Sequence, residues 1–185
     1  MTAQPARRRR FDPERRERII EAAIDVIAER GVAGTSHRTV ADAADVPLGS
    51  LTYHFESLDE LLRLAFTRLA ERMHGRFDAA LAAIPEDGDG REGVVRIICD
   101  ESLGFDRDLL LMVELYVLAI RKPAFRELIQ DWMNASRRSL ARHFPEDAAP
   151  EIDALIEGMV LHSHLSTEPF DADRVRRAVH RITAR

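Results

Sequence analysis

The sequence predicts an all-α fold of about nine helices, and three observations carry that prediction. Apolar residues recur at the three-to-four-residue spacing of a helix face throughout the chain, as in Ile20, Ala23, Ile24 and Ile27. No segment sustains the apolar/polar alternation with β-branched enrichment that marks a strand. Pro and Gly fall at the joints between periodic segments. At 185 residues and 45% hydrophobic content, the chain can bury a core as one compact body or two small ones.

The first helix starts at Pro13, a favourable first-turn residue after the candidate cap Asp12, and stops at Gly31. A second, short helix covers His37 to Ala44 with Thr35 or Ser36 as cap, and the turn Asp45-Val46-Pro47 separates it from a third, Leu48 to His54. The fourth is long, Ser57 to Ala83, and ends in the loop Pro85-Glu86-Asp87-Gly88-Asp89-Gly90. Five more follow at about Arg91 to Leu103, Asp106 to Arg121, Pro123 to Phe144, Pro150 to Leu165 and Ala172 to Thr183.

Composition narrows the function classes. The single cysteine, Cys99, forms no internal disulfide, and no CxxC or Cys/His cluster offers a zinc site, so the cytoplasm is the expected compartment. The longest apolar run, Leu109 to Ile120, is interrupted by Glu114 and is too short to span a bilayer; no membrane partner is expected. No GxSxG, HExxH, GxGxxG or P-loop string occurs, which points away from an enzyme and from a bound cofactor. Asp87 and Asp89 begin like a calcium loop, but Arg91 and Ile98 occupy later ligand positions. His162 and His164 stand two apart on a helix, about 200° from each other, and cannot share a metal.

The formal net charge is -5, unexpected for a nucleic-acid binder, since neutralising phosphates supplies much of that affinity. The distribution changes the picture. Met1 to Phe55 carries nine Arg against eight acidic residues, and four of those arginines, Arg7, Arg8, Arg9 and Arg10, are consecutive. The acidic excess lies beyond them.

Helices two and three are too short to be stable alone and must be held by packing. Val40, Ala41 and Ala44 form the inward stripe of the second, Val46 fills in from the turn, and Leu51 and Phe55 return the third to the same core. If Leu51 and Phe55 point inward, Leu48, Ser50, Thr52, Tyr53 and His54 are left on the outward and flanking surface. This is the geometry of a helix-turn-helix.

Residues Arg18 to Ile24 with Ala28-Glu29-Arg30-Gly31, then Thr35 to Phe55, then Glu56 to Leu62, resemble the TetR family of transcriptional regulators in type, order and spacing. The resemblance implies a basic arm over 1–12, a helix-turn-helix domain over 13–56 and an effector-binding and dimerisation domain over 57–185. It implies a sequence-specific regulator, a repressor released from a palindromic double-stranded operator by a small molecule. Carried over by position, it puts Arg38 on a phosphate or base edge and Ser36 or His37 on the DNA backbone. Pro47, Leu48, Gly49, Ser50 and Thr52 fall at the bases, and Tyr53 and His54 at phosphates. Three positions depart from the family pattern. Asp45 stands where Gly is usual in the turn, Thr52 replaces a common aromatic, and Leu58 replaces a phosphate-binding lysine, for which the Arg7 to Arg10 arm is the expected substitute.

In the C-terminal body the resemblance implies a pocket between helices five to seven and a homodimer through the last two. Met73, Phe77, Cys99, Phe105, Met112, Tyr116 and Trp132 are the candidate lining for a largely apolar effector. Each also reads as ordinary core. Glu114, inside an apolar stretch, needs a partner, either Arg107 or a cationic group on a ligand. The candidate dimer face is Ile152, Leu155, Ile156, Met159 and Leu165 with Val175, Val179 and Ile182. The competing reading is a small helical enzyme using the pocket, Glu114 and a nearby His.

Overall fold

The computed structural model describes residues 13–85, 88–99 and 105–184, with the side chains of 105 and 106 excepted. Among the described residues it contains nine α-helices: α1 (Arg15–Arg30), α2 (His37–Ala43), α3 (Leu48–His54), α4 (Leu58–Ala82), α5 (Gly90–Cys99), α6 (Phe105–Arg121), α7 (Arg126–Leu140), α8 (Ala149–Leu165) and α9 (Ala172–Ile182). The expected order holds. The predicted seventh helix begins instead as a separate 3₁₀ turn at Pro123–Phe125, and α7 ends at Leu140, short of Phe144.

Local chemistry sets the boundaries. The candidate cap Asp12 lies outside the described residues; α1 starts at Arg15 behind Glu14, which makes no side-chain cap. Gly31 ends α1 at φ 67°, where a side chain is strained. Ser36 caps α2 reciprocally: its Oγ accepts from the Thr39 N–H at 3.1 Å, and the Ser36 N–H donates to Thr39 Oγ1 at 2.8 Å. At the other end Asp45 takes up φ 51°. The Val46 N–H then reaches the Ala41 carbonyl at 3.0 Å and the Asp45 N–H that of Asp42 at 3.3 Å, a Schellman closure built without glycine. Ser57 caps α4 by accepting from the Glu60 N–H at 3.1 Å.

Two apolar cores form. The first joins α1, α2 and α3 to the N-terminal half of α4 (Leu61, Leu62, Ala65, Phe66, Leu69) and to Leu111, Leu115, Leu118 and Ala119 of α6. The second joins the end of α4 to α5, α7, α8, α9 and the residues Leu109 and Met112 of α6. With 25 residues, α4 is about 37 Å long and serves both. The expected division between residues 56 and 57 therefore crosses continuous packing. Ion pairs brace the same joints, Arg68 and Arg72 of α4 with Glu17 and Glu21 of α1, and Arg107 of α6 with Asp25. These are exposed and contribute little.

The expected dimer stripe needs correction. Ile152, Ile156, Val175 and Val179 are 0%, 8%, 3% and 0% exposed because they face the second core of their own chain, where α9 packs on α5 and α8. Ile182 is partly buried against that core. Leu165, at 71% exposure, lies on the other side of α8 with Gly158, which has open space where a Cβ would be, whereas Leu155 and Met159 are half-buried and also pack against the second core.

Candidate nucleic-acid interface and ligand cavity

The helix-turn-helix is held from below. Leu51 and Phe55 are 0% and 2% exposed among Val40, Ala41 and Ala44, each large side chain contributing roughly 1.5–3 kcal/mol by burial. Arg16 of α1 lies over the Phe55 ring at 5.3 Å. With that face fixed, the opposite face of α3 is presented outward: Leu48 is 46% exposed and Tyr53 84%. Pro47, Gly49 and Thr52 are exposed, and Ser50 and His54 half so. Tyr53 is thus clear of α1, its ring meeting the His54 ring edge-on at 5.0 Å.

On α2, Arg38 is exposed at the helix start, as the motif implies. Its neighbours differ. Ser36 uses its Oγ on the cap, and His37 keeps Nε2 buried with no hydrogen-bond partner among the described residues. Both are half-buried. Arg7 to Arg10 lie outside the described residues.

A cavity of about 80 Å³ opens in the second core, lined by Met73, Arg76, Phe77, Ile97, Leu109, Met112, Trp132, Ser136, Asp153, Ile156, Glu157 and Val160. Four expected residues are there: Met73, Phe77, Met112 and Trp132. Tyr116 joins them from behind, stacked on Trp132 at 6.4 Å and donating to Glu157 at 2.8 Å. Cys99 packs in the same core without lining the cavity, and burial pushes its thiol pKa up. The Phe105 side chain lies outside the described part.

The sequence reading missed the cavity's charged wall. Asp153 is 4% exposed and accepts from Arg137 at 3.2 Å. Burial raises its pKa, opposed by hydrogen bonds from Ser136 and Arg137. Glu157, one turn on, is also raised, first by burial and then by the neighbouring Asp153 charge, against the Tyr116 hydroxyl. Burial and Glu157 drive the Tyr116 phenol up. The available signal was Asp153 itself, a carboxylate within the stripe Ile152, Ile156, Val160.

Glu114 is corrected on both expectations. Arg107 pairs with Asp25. Glu114 instead turns toward α1, where its Oε2 accepts from the Val32 N–H at 2.8 Å. A Cβ on Gly31 would meet Glu114 Oε1 at 2.9 Å, so the glycine also makes room for the carboxylate. The competing enzyme reading loses the group it relied on. Among the described residues no group of three or more His, Cys, Asp and Glu is placed to hold a metal ion, and none of their helices is long and apolar enough to cross a membrane.

Comparison with known proteins covers both halves of the chain. The family described as bacterial regulatory proteins, tetR family, matches residues 19–65, and the tetracyclin repressor-like C-terminal domain matches residues 85–185. The HTH-type transcriptional regulator CymR of Pseudomonas putida is 30% identical over 184 residues, covering 91% of this chain and 89% of CymR. The crystal structure of SCO7518 from Streptomyces coelicolor A3(2) superposes with a TM-score of 0.88 at 46% identity, over 94% of this chain and 100% of that one. The multidrug binding protein EbrR in complex with ethidium gives a TM-score of 0.79 at 37% identity, over 93% and 99%; EbrR is also solved with proflavin and with malachite green. Sequence and fold agree from the helix-turn-helix to the last helix, and the chain belongs to the TetR family of DNA-binding transcriptional regulators.

Proposed function

We propose that this regulator is a cytoplasmic repressor that holds a pseudo-palindromic operator as a homodimer and leaves it when a small aromatic molecule enters the cavity. The observation that carries the reading is the position of α6. One side of this helix packs with the helix-turn-helix through Leu111, Leu115 and Leu118, and another lines the cavity through Leu109 and Met112. A ligand that displaces α6 changes the support of the DNA-binding core, which gives it the differential affinity for two states that a switch requires. EbrR, solved with ethidium, proflavin and malachite green, supports an aromatic effector.

At the DNA, Leu48, Gly49, Ser50 and Thr52 meet base edges, with Leu48 suited to a thymine methyl, while Tyr53 and His54 reach phosphates. Arg38 makes the principal contact from α2, and Arg7 to Arg10 supply the charge that Leu58 does not. Two copies of α3 one helical turn apart, about 34 Å, read the two half-sites. The exposed side of α8 with Gly158 and Leu165, flanked by the half-buried Leu155 and Met159, forms the self-complementary dimer face.

Footprinting of the protein on the DNA upstream of its own gene, at low salt and without effector, tests this. A protected pseudo-palindrome is expected, and Arg38→Ala weakens binding by about 1–3 kcal/mol. No site-specific protection by the wild-type protein refutes the reading; unchanged affinity in the variant removes Arg38 from the interface.

A further inference from the structure

The cavity's ion pairs leave one charge over. Arg76, on the α4 wall, pairs with Asp108 of α6, and Asp153 of α8 pairs with Arg137 of α7. Glu157 has no such partner: among the described residues its one hydrogen bond is from the Tyr116 hydroxyl. The second carboxylate oxygen, Oε2, receives none. Apart from Ser136, which hydrogen-bonds Asp153, the remaining walls are apolar or aromatic, with Trp132 at the cavity and Tyr116 stacked behind it.

We infer that Glu157 is the anchor for an aromatic ligand bearing a single positive charge, held between this carboxylate and the Trp132–Tyr116 stack. The inference rests on the effector reading of the same cavity. A buried carboxylate without a cation is costly, and a permanent positive charge on the ligand removes that cost while an aromatic cation also gains from the ring faces. One uncompensated negative charge matches one positive charge. A neutral ring leaves Glu157 unpaired, and a dication brings a second charge into an apolar site with nothing to meet it. The cavity of about 80 Å³ holds only a handful of waters, so a ring system of two or three fused rings enters by moving the adaptable side chains of Met73 and Met112.

Burial already holds the Glu157 pKa above its ordinary value. A permanently charged ligand therefore binds more tightly as pH rises through that titration. The groups facing Glu157 are Asp153 on its own helix, Arg137 of α7 and Tyr116 of α6, with Arg76 of α4 across the cavity. Burial drives the Tyr116 phenol up and away from this range.

The test uses the full chain and three probes of similar outline: 10-methylacridinium (one permanent charge), acridine (neutral near pH 8) and diquat (two charges). Calorimetric or fluorescence titration is expected to rank 10-methylacridinium at least tenfold above both others. Glu157→Gln removes that preference by lowering the monocation's affinity at least tenfold, leaves acridine within about twofold, and abolishes the rise in monocation affinity with pH. Tyr116→Phe, which keeps a ring and frees the carboxylate, retains the preference. Acridine binding as well as the monocation, or a Glu157→Gln loss equal for both, overturns the charge assignment while leaving the cavity an effector site. Failure of all three probes to bind the wild-type protein overturns both.

Discussion

The hydrogen bond from the Val32 N–H to Glu114 is the most localised link between the ligand-binding body and the helix-turn-helix. Val32 opens the 3₁₀ turn that separates α1 from α2, and Glu114 reaches it from the middle of α6 at 2.8 Å. Replacing Glu114 by Ala deletes a charge-assisted bond whose net contribution is roughly 1.5–3 kcal/mol when well buried. The site is only part-buried, and water can take over the freed N–H, so a loss of about 1–2 kcal/mol is expected. For a chain of this size 1 kcal/mol moves the midpoint by about 2–4 °C, which puts the Glu114→Ala variant some 2–8 °C below wild type in thermal unfolding followed by circular dichroism. Glu114→Gln keeps an acceptor without the charge and falls between. The same bond predicts a functional loss: the ratio of operator affinities without and with ligand shrinks in Glu114→Ala. A variant that unfolds within 1 °C of wild type and responds to ligand unchanged refutes the reasoning.

Three further outcomes follow from particular residues. Asp45→Gly relieves the left-handed backbone at φ 51° and is expected to stabilise by about 0.5–1 kcal/mol, the relief being partly offset by glycine's extra unfolded-state entropy; urea unfolding checks it, and a loss of stability shows that the aspartate side chain contributes more than its strain costs. Leu165→Glu puts a charge on the exposed side of α8 and shifts sedimentation toward monomer while the monomer keeps its helical circular dichroism, with the unfolding midpoint falling by the lost dimer linkage; an undisturbed dimer places the interface elsewhere. Because burial raises the folded-state pKa of Glu157 above its unfolded value, its contribution to stability is present below the unfolded pKa and lost as pH rises through the folded one. Glu157→Gln is therefore expected to gain stability over wild type as pH rises through that titration, and a difference that does not change with pH contradicts this.

Much of the first core was legible residue by residue because its interactions are local. The N-cap at Ser36, the stop at Gly31 and the left-handed turn at Asp45 depend on neighbours within a few positions, and the inward placement of Leu51 and Phe55 follows from their i, i+4 spacing on one short helix. From there the outward face of α3 is a matter of helical geometry.

The second core was legible only as a set of apolar helices. On α8, apolar residues run nearly all round, so periodicity could not say which of them face inward; packing in the second core buries Ile152 and Ile156 fully and Leu155 and Met159 in part, and leaves Leu165 outside. Glu114 and Glu157 make the same point with charge. Each is a carboxylate in a greasy helix whose cost depends on what lies opposite, and what lies opposite is more than 40 residues away for both, Val32 for one and Tyr116 for the other. Chain order encodes the helices and their caps; the partners of buried charges, and with them the ligand chemistry, arise only when distant helices pack.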